Sequence, residues 1–140
     1  MKKTFSLFLA FALGVVVPQT FAADYYVSPT GDDKAAGTSA ETALKTIQAA
    51  IEKLEDNTPT TIHLEENATF DVYGPEAIII GAKKNVVLRG KNTTLKSGDQ
   101  PFLGDRVITI GTNTDATISG LILKNGCTRD GIPGGAIFFE

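Results

Sequence analysis

The first regular pattern of apolar positions lies between residues 46 and 54. Four apolar residues recur at offsets of 0, 3, 4 and 7 positions: Ile47, Ala50, Ile51 and Leu54. This spacing places them on one face of an amphipathic helix, with Thr46 as its N-cap. The turn-forming residues at 56–59 end the helix. The apolar face predicts that the helix packs against the rest of the protein.

From position 61 onward the pattern changes to short apolar clusters separated by Gly, Asn, Asp or Lys-Asn. No helical spacing of useful length appears among them, so the clusters predict short β-strands. A further β-prone stretch, at 25–27, precedes the helix. The clusters are Ile62 and Leu64; Ile78–Ile80; Val86–Leu88; Val107, Ile108 and Ile110; Ile118; Leu121–Leu123; and Ala136–Phe139.

Two of these clusters share a pattern at a distance of 30 positions. Residues 85–90 and 115–120 both read as Asn or Asp, two residues, an aliphatic residue, one residue and Gly. Aliphatic-Gly steps at Ile80 and Ile110 have the same separation. A fixed period of this length is typical of a solenoid, in which each strand pairs with the equivalent strand one coil below. A small meander or sandwich with a chance coincidence is the alternative.

The first 22 residues have the three parts of a secretory signal peptide. Lys2 and Lys3 precede an apolar run at 5–17, and small residues flank a cleavage point after Ala22. Cleavage after Ala23 fits almost as well. The alternatives are a retained membrane anchor or a buried helix, but the run is too short to span a bilayer as a helix. No later stretch is long enough either, so we expect an exported chain with no transmembrane segment in its mature part.

Composition excludes several classes of protein. The 140 residues carry a formal net charge of −3, and loss of Lys2 and Lys3 with the signal makes it −5. A nucleic-acid-binding protein needs a basic surface, so we expect no nucleic-acid partner. The one cysteine, Cys127, excludes an intramolecular disulfide framework and a Cys-based zinc site.

Residues 24–140 resemble the N-terminal part of exported right-handed parallel β-helix proteins of the pectate-lyase-like superfamily. The resemblance lies in the strand at 25–27 ended by Ser28-Pro29, a Gly/Asp loop with Gly31, Asp32 and Asp33, Gly37-Thr38, and the Thr-Ile-x-x-Ala helix within residues 45–51. Asn125-Gly126 followed by Gly134-Gly135-Ala136-Ile137 is similar to repeats of polymorphic outer-membrane proteins. The resemblance implies a mainly β solenoid whose N-terminal helix covers one end of the coils.

The domain organisation expected from this resemblance has three parts. Residues 1–22 are the signal peptide, 23–60 hold the opening strand, loop and capping helix, and 61–140 hold about three coils. The last strand stops without a polar cap, so we expect a truncated solenoid, followed by further coils or an anchoring domain, and marginal stability or aggregation of residues 23–140 alone.

Candidate chemistry is sparse, and we carry over no catalytic residue from the superfamily. Asp32 and Asp33 in the opening loop are candidate Ca²⁺ ligands, with a turn-shaping Asx role as the alternative. His63 alternates with two apolar residues, so it points outward as a possible base or an exposed strand residue. The remaining candidates are Arg89 and Arg106 as bases, Cys127 as a nucleophile, and Glu65, Glu66, Asp99 and Asp105 as acids. For each of them the alternative is a loop or surface residue without a catalytic role.

Two functions remain open. The first is a structural or adhesive role at the cell surface or outside the cell, as stalk, adhesin or passenger, with a polysaccharide or host-surface ligand possible. The alternative is the N-terminal cap of a polysaccharide lyase or another carbohydrate-active β-helix enzyme. The Gly-Gly-Ala-Ile motif favours the first, and under both we expect that this 140-residue chain is not itself an enzyme and requires no cofactor, with Ca²⁺ possible.

Overall fold

The computed structural model describes residues 22–72, 77–98, 106–126 and 135–140. These residues form a mainly β structure in which all paired strands are parallel. The described part holds no helix long and apolar enough to cross a membrane. Its elements are β1 (Ala23–Val27), a 3₁₀ turn (Ala40–Thr42), α1 (Ile47–Ile51), β2 (Pro59–Leu64), β3 (Thr69–Asp71), β4 (Ile78–Ile80), β5 (Asn85–Lys96), β6 (Ile108–Ile110), β7 (Asp115–Lys124) and β8 (Ile137–Phe139).

The strands form two parallel sheets. In the first, β1, β2, β5 and β7 follow one another, and β3 pairs with the second half of β5. In the second, the order is β4, β6 and β8. Paired residues therefore come from different parts of the chain, 25 to 37 positions apart.

The 30-residue correspondence predicted from the sequence is confirmed as strand register. Asn85 pairs with Asp115 and Leu88 with Ile118. In the second sheet Ile80 pairs with Ile110. Equivalent aliphatic residues consequently stack on one another from strand to strand, which is the arrangement that a repeated pattern produces in parallel pairing.

The core is made of these aliphatic stacks. Alternation along each strand decides which side chains enter it, as Ile78 and Ile80 of β4 are 1% exposed whereas Ile79 between them is 55% exposed. Ile62 and Leu88 continue the core in the first sheet at 0% and 1% exposure. Burial of such side chains from water is the main force that stabilises the fold.

Residues with positive φ mark the bend after β2 and the bends within β5 and β7. Asn67 (φ 57°), Asn92 (φ 55°) and Gly120 (φ 68°) follow one another at one bend of the first sheet. The Asn92 side-chain amide donates a hydrogen bond of 2.9 Å to the Asn67 side-chain oxygen. Asn and Gly adopt this left-handed conformation more readily than other residues, which explains why they separate the apolar clusters.

Helix α1 begins as the sequence predicts. The Thr46 hydroxyl accepts a hydrogen bond of 3.2 Å from the Ala49 amide, and the four predicted apolar residues are all buried, Leu54 at 7% exposure. The helix ends at Ile51, so it is shorter than the apolar spacing suggests. The turn that follows, in which the Leu54 amide donates to the Ile51 carbonyl, buries the Leu54 side chain.

One lysine joins the end of this helical region to the strands. Lys84 donates from Nζ to the Leu54 carbonyl at 3.0 Å and to the Asp56 carboxylate. The hydrogen bond and the charge of Lys84 lower the pKa of Asp56. Lys84 directly precedes β5, so this contact fixes the position of the helix relative to the first sheet.

Two features of the strands differ from the sequence prediction. β5 and β7 are 12 and 10 residues long, because each continues through a bend instead of ending at Gly90 or Gly120. The register between them shifts at this bend, between Arg89 and Thr93. β3 is an additional strand, since its one buried side chain, Phe70, gives too little pattern to predict it.

Candidate functional site

The outward-facing residues of the first sheet form a row across four strands. Tyr26 of β1 pairs with His63 of β2, His63 with Arg89 of β5, and Arg89 with Ser119 of β7. Because neighbouring strands lie about 4.8 Å apart, the side chains of such a row form a continuous surface. Parallel pairing thus brings together an aromatic ring, an imidazole and a guanidinium from distant parts of the sequence.

The first two members of the row are stacked. The Tyr26 and His63 rings have centroids 4.9 Å apart and planes inclined by 14°. The His63 Nε2 atom also lies 3.4 Å from the Asp24 carboxylate, which is more than half exposed. The sequence prediction that His63 points away from the core is confirmed, since Ile62 and Leu64 on either side of it are buried.

The first three residues of this row, Tyr26, His63 and Arg89, border a groove of about 820 Å³, which we call the outer groove. The loop after β1 and the bend between β5's two halves form its other borders. Its lining residues are Tyr26, Val27, Ser28, Thr30, Ala40, Ala43, His63, Leu64, Glu65, Glu66, Arg89, Gly90 and Lys91.

A buried threonine fixes the bend beside the outer groove. Thr93 is 0% exposed, and its hydroxyl donates to the Glu65 carbonyl at 2.8 Å and accepts from the Lys91 amide at 3.2 Å. It therefore connects the end of β2 to the middle of β5. On the surface, the Lys91 Nζ lies 3.0 Å from a Glu66 carboxylate oxygen, and both side chains are well exposed.

The chemistry of the outer groove is suited to binding. It offers the stacked Tyr26 and His63 rings, the cationic groups of Arg89 and Lys91, and the carboxylates of Glu65 and Glu66. Apolar walls with a few convergent polar groups are typical of ligand sites. A guanidinium recognises a carboxylate by two parallel hydrogen bonds, and a hydroxyl group can donate to a carboxylate or accept from a lysine.

The candidate Ca²⁺ ligands are engaged in the opening loop. Asp33 accepts hydrogen bonds from the Lys45 and Thr46 amides, both at 2.8 Å, and from the Thr46 hydroxyl at 3.0 Å. Asp32 accepts from the Lys34 amide at 3.0 Å, which is the Asx turn that the alternative predicted. Asp33 therefore fixes the loop to the start of α1. Within the described ranges, no group of three or more His, Cys, Asp or Glu residues could hold a metal ion, and Ca²⁺ binding stays a prediction.

The other candidates lie apart from the outer groove or outside the described residues. The Arg106 guanidinium lies 3.7 Å from the centre of the Phe138 ring, at the second sheet. Cys127, Asp99 and Asp105 fall outside the described residues.

The sequence did not single out Tyr26, because β1 and β2 pair with an offset of 37 positions and this offset matches no repeat. The sequence placed Tyr26 within the β-prone stretch at 25–27, and this indicated a strand but not a contact with His63.

Comparisons with known proteins add no assignment. No family model matches the chain, and neither the curated proteins nor the solved structures contain a match.

Proposed function

We propose that this chain is a structural and adhesive part of an exported right-handed parallel β-helix, and that its outer groove binds an extended glycan. The parallel ladders support the coil arrangement: Ile62, Leu88 and Ile118 stack in one, and Ile78 and Ile108 in another. α1 contacts β1 and β4, which is consistent with the proposed capping role of this helix. The signal pattern at 1–22 supports export.

The observation that carries the binding role is the row of Tyr26, His63 and Arg89 along the outer groove. A sugar ring has an apolar face that packs on aromatic rings, and hydroxyls at its edge that pair with charged groups. The row crosses successive strands, so it suits a linear polymer whose units repeat along it. Arg89 favours a glycan that carries carboxylates, because a guanidinium binds carboxylates in a bidentate manner.

The experiment is isothermal titration calorimetry of the purified chain with neutral and uronate-containing oligosaccharides. We expect binding of a uronate-containing chain. Tyr26→Ala and Arg89→Ala should each weaken it about tenfold, which corresponds to about 1.4 kcal/mol. Ile79→Ala is the matched control, because Ile79 is a large exposed side chain on the other sheet, and it should leave the affinity unchanged.

Analysis of the recovered sugars separates the proposed role from the alternative. The adhesive role predicts that the oligosaccharides are recovered intact. An unsaturated product would instead show a polysaccharide lyase and overturn the adhesive role. Absence of binding to every sugar tested, or equal binding by the three variants, would overturn the proposal that the outer groove is a glycan site.

A further inference from the structure

His63 is the one histidine of the sequence, and it lies within the row that borders the outer groove. Tyr26 of β1 and Arg89 of β5 are its register partners on either side. The His63 side chain is 30% exposed, so the imidazole can exchange protons with water. Among unperturbed side chains, an imidazole is the one that changes its charge between about pH 5 and 8. The outer groove therefore carries a group whose charge follows the pH.

The neighbours of the His63 ring act on its charge in opposite directions. Nε2 lies 3.4 Å from the Asp24 carboxylate, which attracts a protonated imidazole. The Tyr26 ring lies almost parallel to the imidazole at 4.9 Å between centroids, and an aromatic face also attracts a cation. Arg89 opposes protonation, because it places a positive charge on the neighbouring strand. A further charge that enters the outer groove can therefore change the protonation of His63.

The other charged groups near the outer groove alter this balance less. Glu66 and Lys91 form an ion pair with 3.0 Å between Nζ and a carboxylate oxygen, so their charges largely cancel. Glu65, just after β2, is exposed to water and ions, which screen its charge. Glu41 of the 3₁₀ turn is exposed and does not line the outer groove. Removal of the signal would place an α-amino group at the start of β1, and this group is the same in every variant compared below.

Arg89 is positioned to bring a ligand carboxylate close to His63. Its side chain is exposed and lines the outer groove, and no carboxylate of the described residues forms an ion pair with it. A guanidinium holds a carboxylate through two parallel hydrogen bonds. Because neighbouring strands lie about 4.8 Å apart, such a carboxylate would lie near enough to attract a protonated imidazole on the next strand. It would also neutralise the charge of Arg89 that opposes protonation.

We propose that binding of an acidic glycan in the outer groove is coupled to protonation of His63. This inference rests on the proposed glycan site and concerns its regulation. The proton comes from solvent and stays on the imidazole, between the Asp24 carboxylate and the carboxylate of the ligand. Since the complex then holds more protons than the free protein, the affinity rises as the pH falls. A neutral glycan brings no charge to Arg89 and should show no such dependence.

Isothermal titration calorimetry of the purified chain with a uronate-containing oligosaccharide tests the coupling. We expect an affinity about fivefold higher at about pH 5.5 than at about pH 7.5. Near pH 6.5, where an imidazole is partly protonated, the binding heat should depend on the ionisation enthalpy of the buffer, which reveals uptake of a fraction of a proton. His63→Gln should bind with the same affinity at both pH values and show no uptake.

A matched pair of aspartate variants tests the part played by the carboxylate beside His63. Asp24→Asn removes the charge that attracts the protonated imidazole and should reduce the difference in affinity between the two pH values. Asp71→Asn, at an exposed position of β3 outside the outer groove, changes the net charge equally and should keep the wild-type difference. Circular dichroism checks that each variant is folded.

A nuclear magnetic resonance measurement on the wild-type, untagged chain needs no variant. Because the sequence holds one histidine, the imidazole ring signals belong to His63. At a fixed pH near about 6.5, a uronate-containing oligosaccharide should move these signals toward the positions of a charged imidazole. A neutral oligosaccharide of the same length should not.

Each way in which the coupling can fail has its own result. Uronate binding with equal affinity at both pH values and without proton uptake would overturn the coupling and leave the glycan site intact. An undiminished pH dependence in His63→Gln, or ring signals that do not move with uronate, would overturn the role of His63. Absence of binding at both pH values would overturn the glycan site itself, and the coupling with it.

Discussion

At the scale of single residues, the buried hydroxyl of Thr93 is the polar group that holds the bend between β2 and β5. Thr93→Val keeps the shape of the side chain but leaves the Glu65 carbonyl and the Lys91 amide without this partner. Unpaired buried groups cost about 1–3 kcal/mol each. We expect urea unfolding at 25 °C to show a free energy of unfolding lower by about 2 kcal/mol in total, since nearby water can partly replace the hydroxyl.

Thr94→Val is the control for this change. Thr94 is the next residue of the same strand and faces the opposite side, where it is only half-buried. The same substitution there should alter the free energy of unfolding by about 0.5 kcal/mol or less. Equal losses at both positions would contradict the role assigned to the Thr93 hydroxyl.

Single-residue roles were predictable where they depend on alternation along one strand. The outward direction of His63 follows from its apolar neighbours, and the structure confirms it. The role of Asp33 depends on partners 12 and 13 positions away, which its local sequence does not indicate. The stack of Tyr26 on His63 likewise depends on a pairing that no local pattern reveals.

At the scale of elements, the bend of β7 depends on one glycine. Gly120 has φ of 68°, and a Cβ added there would collide with the Gly90 carbonyl oxygen on the neighbouring strand. We expect Gly120→Ala to lower the free energy of unfolding by about 2 kcal/mol or more, because the backbone and the neighbouring strand would both have to shift. Thermal and urea unfolding measure this loss.

Gly81 provides the comparison. It precedes a bend after β4, and a Cβ there meets nothing within 4 Å. Gly81→Ala should change the free energy of unfolding by less than about 1 kcal/mol, and reduced freedom of the unfolded chain can even stabilise the protein. If Gly81→Ala destabilised the protein as much as Gly120→Ala, the close approach at Gly90 would not be the cause.

The elements were predictable to the extent that the repeat is regular. β5 and β7 share a 30-residue spacing, and so do β4 and β6, which made their pairing visible in the sequence. β2 and β5 pair at an offset of 26 positions, and β1 and β2 at 37, because the connecting segments differ in length. β3 was missed because only one of its three side chains is buried.

At the scale of the whole molecule, the parallel ladders account for the position of the proposed glycan site. Pairing in register places Tyr26, His63 and Arg89 in one row on the outside, and it stacks aliphatic residues inside. The proposed glycan site is therefore a consequence of strand pairing and not of any local sequence motif.

The proposed β-helix requires that the strands stack in parallel, and backbone nuclear Overhauser contacts in solution measure this arrangement most directly. We predict contacts between Leu88 and both Ile62 and Ile118, and between Ile78 and Ile108, in the pattern of parallel strands. Antiparallel pairing instead brings facing Cα atoms to about 4.5 Å and gives strong contacts between their α-protons. Such contacts between sequential strands, as a meander or sandwich requires, would contradict the account.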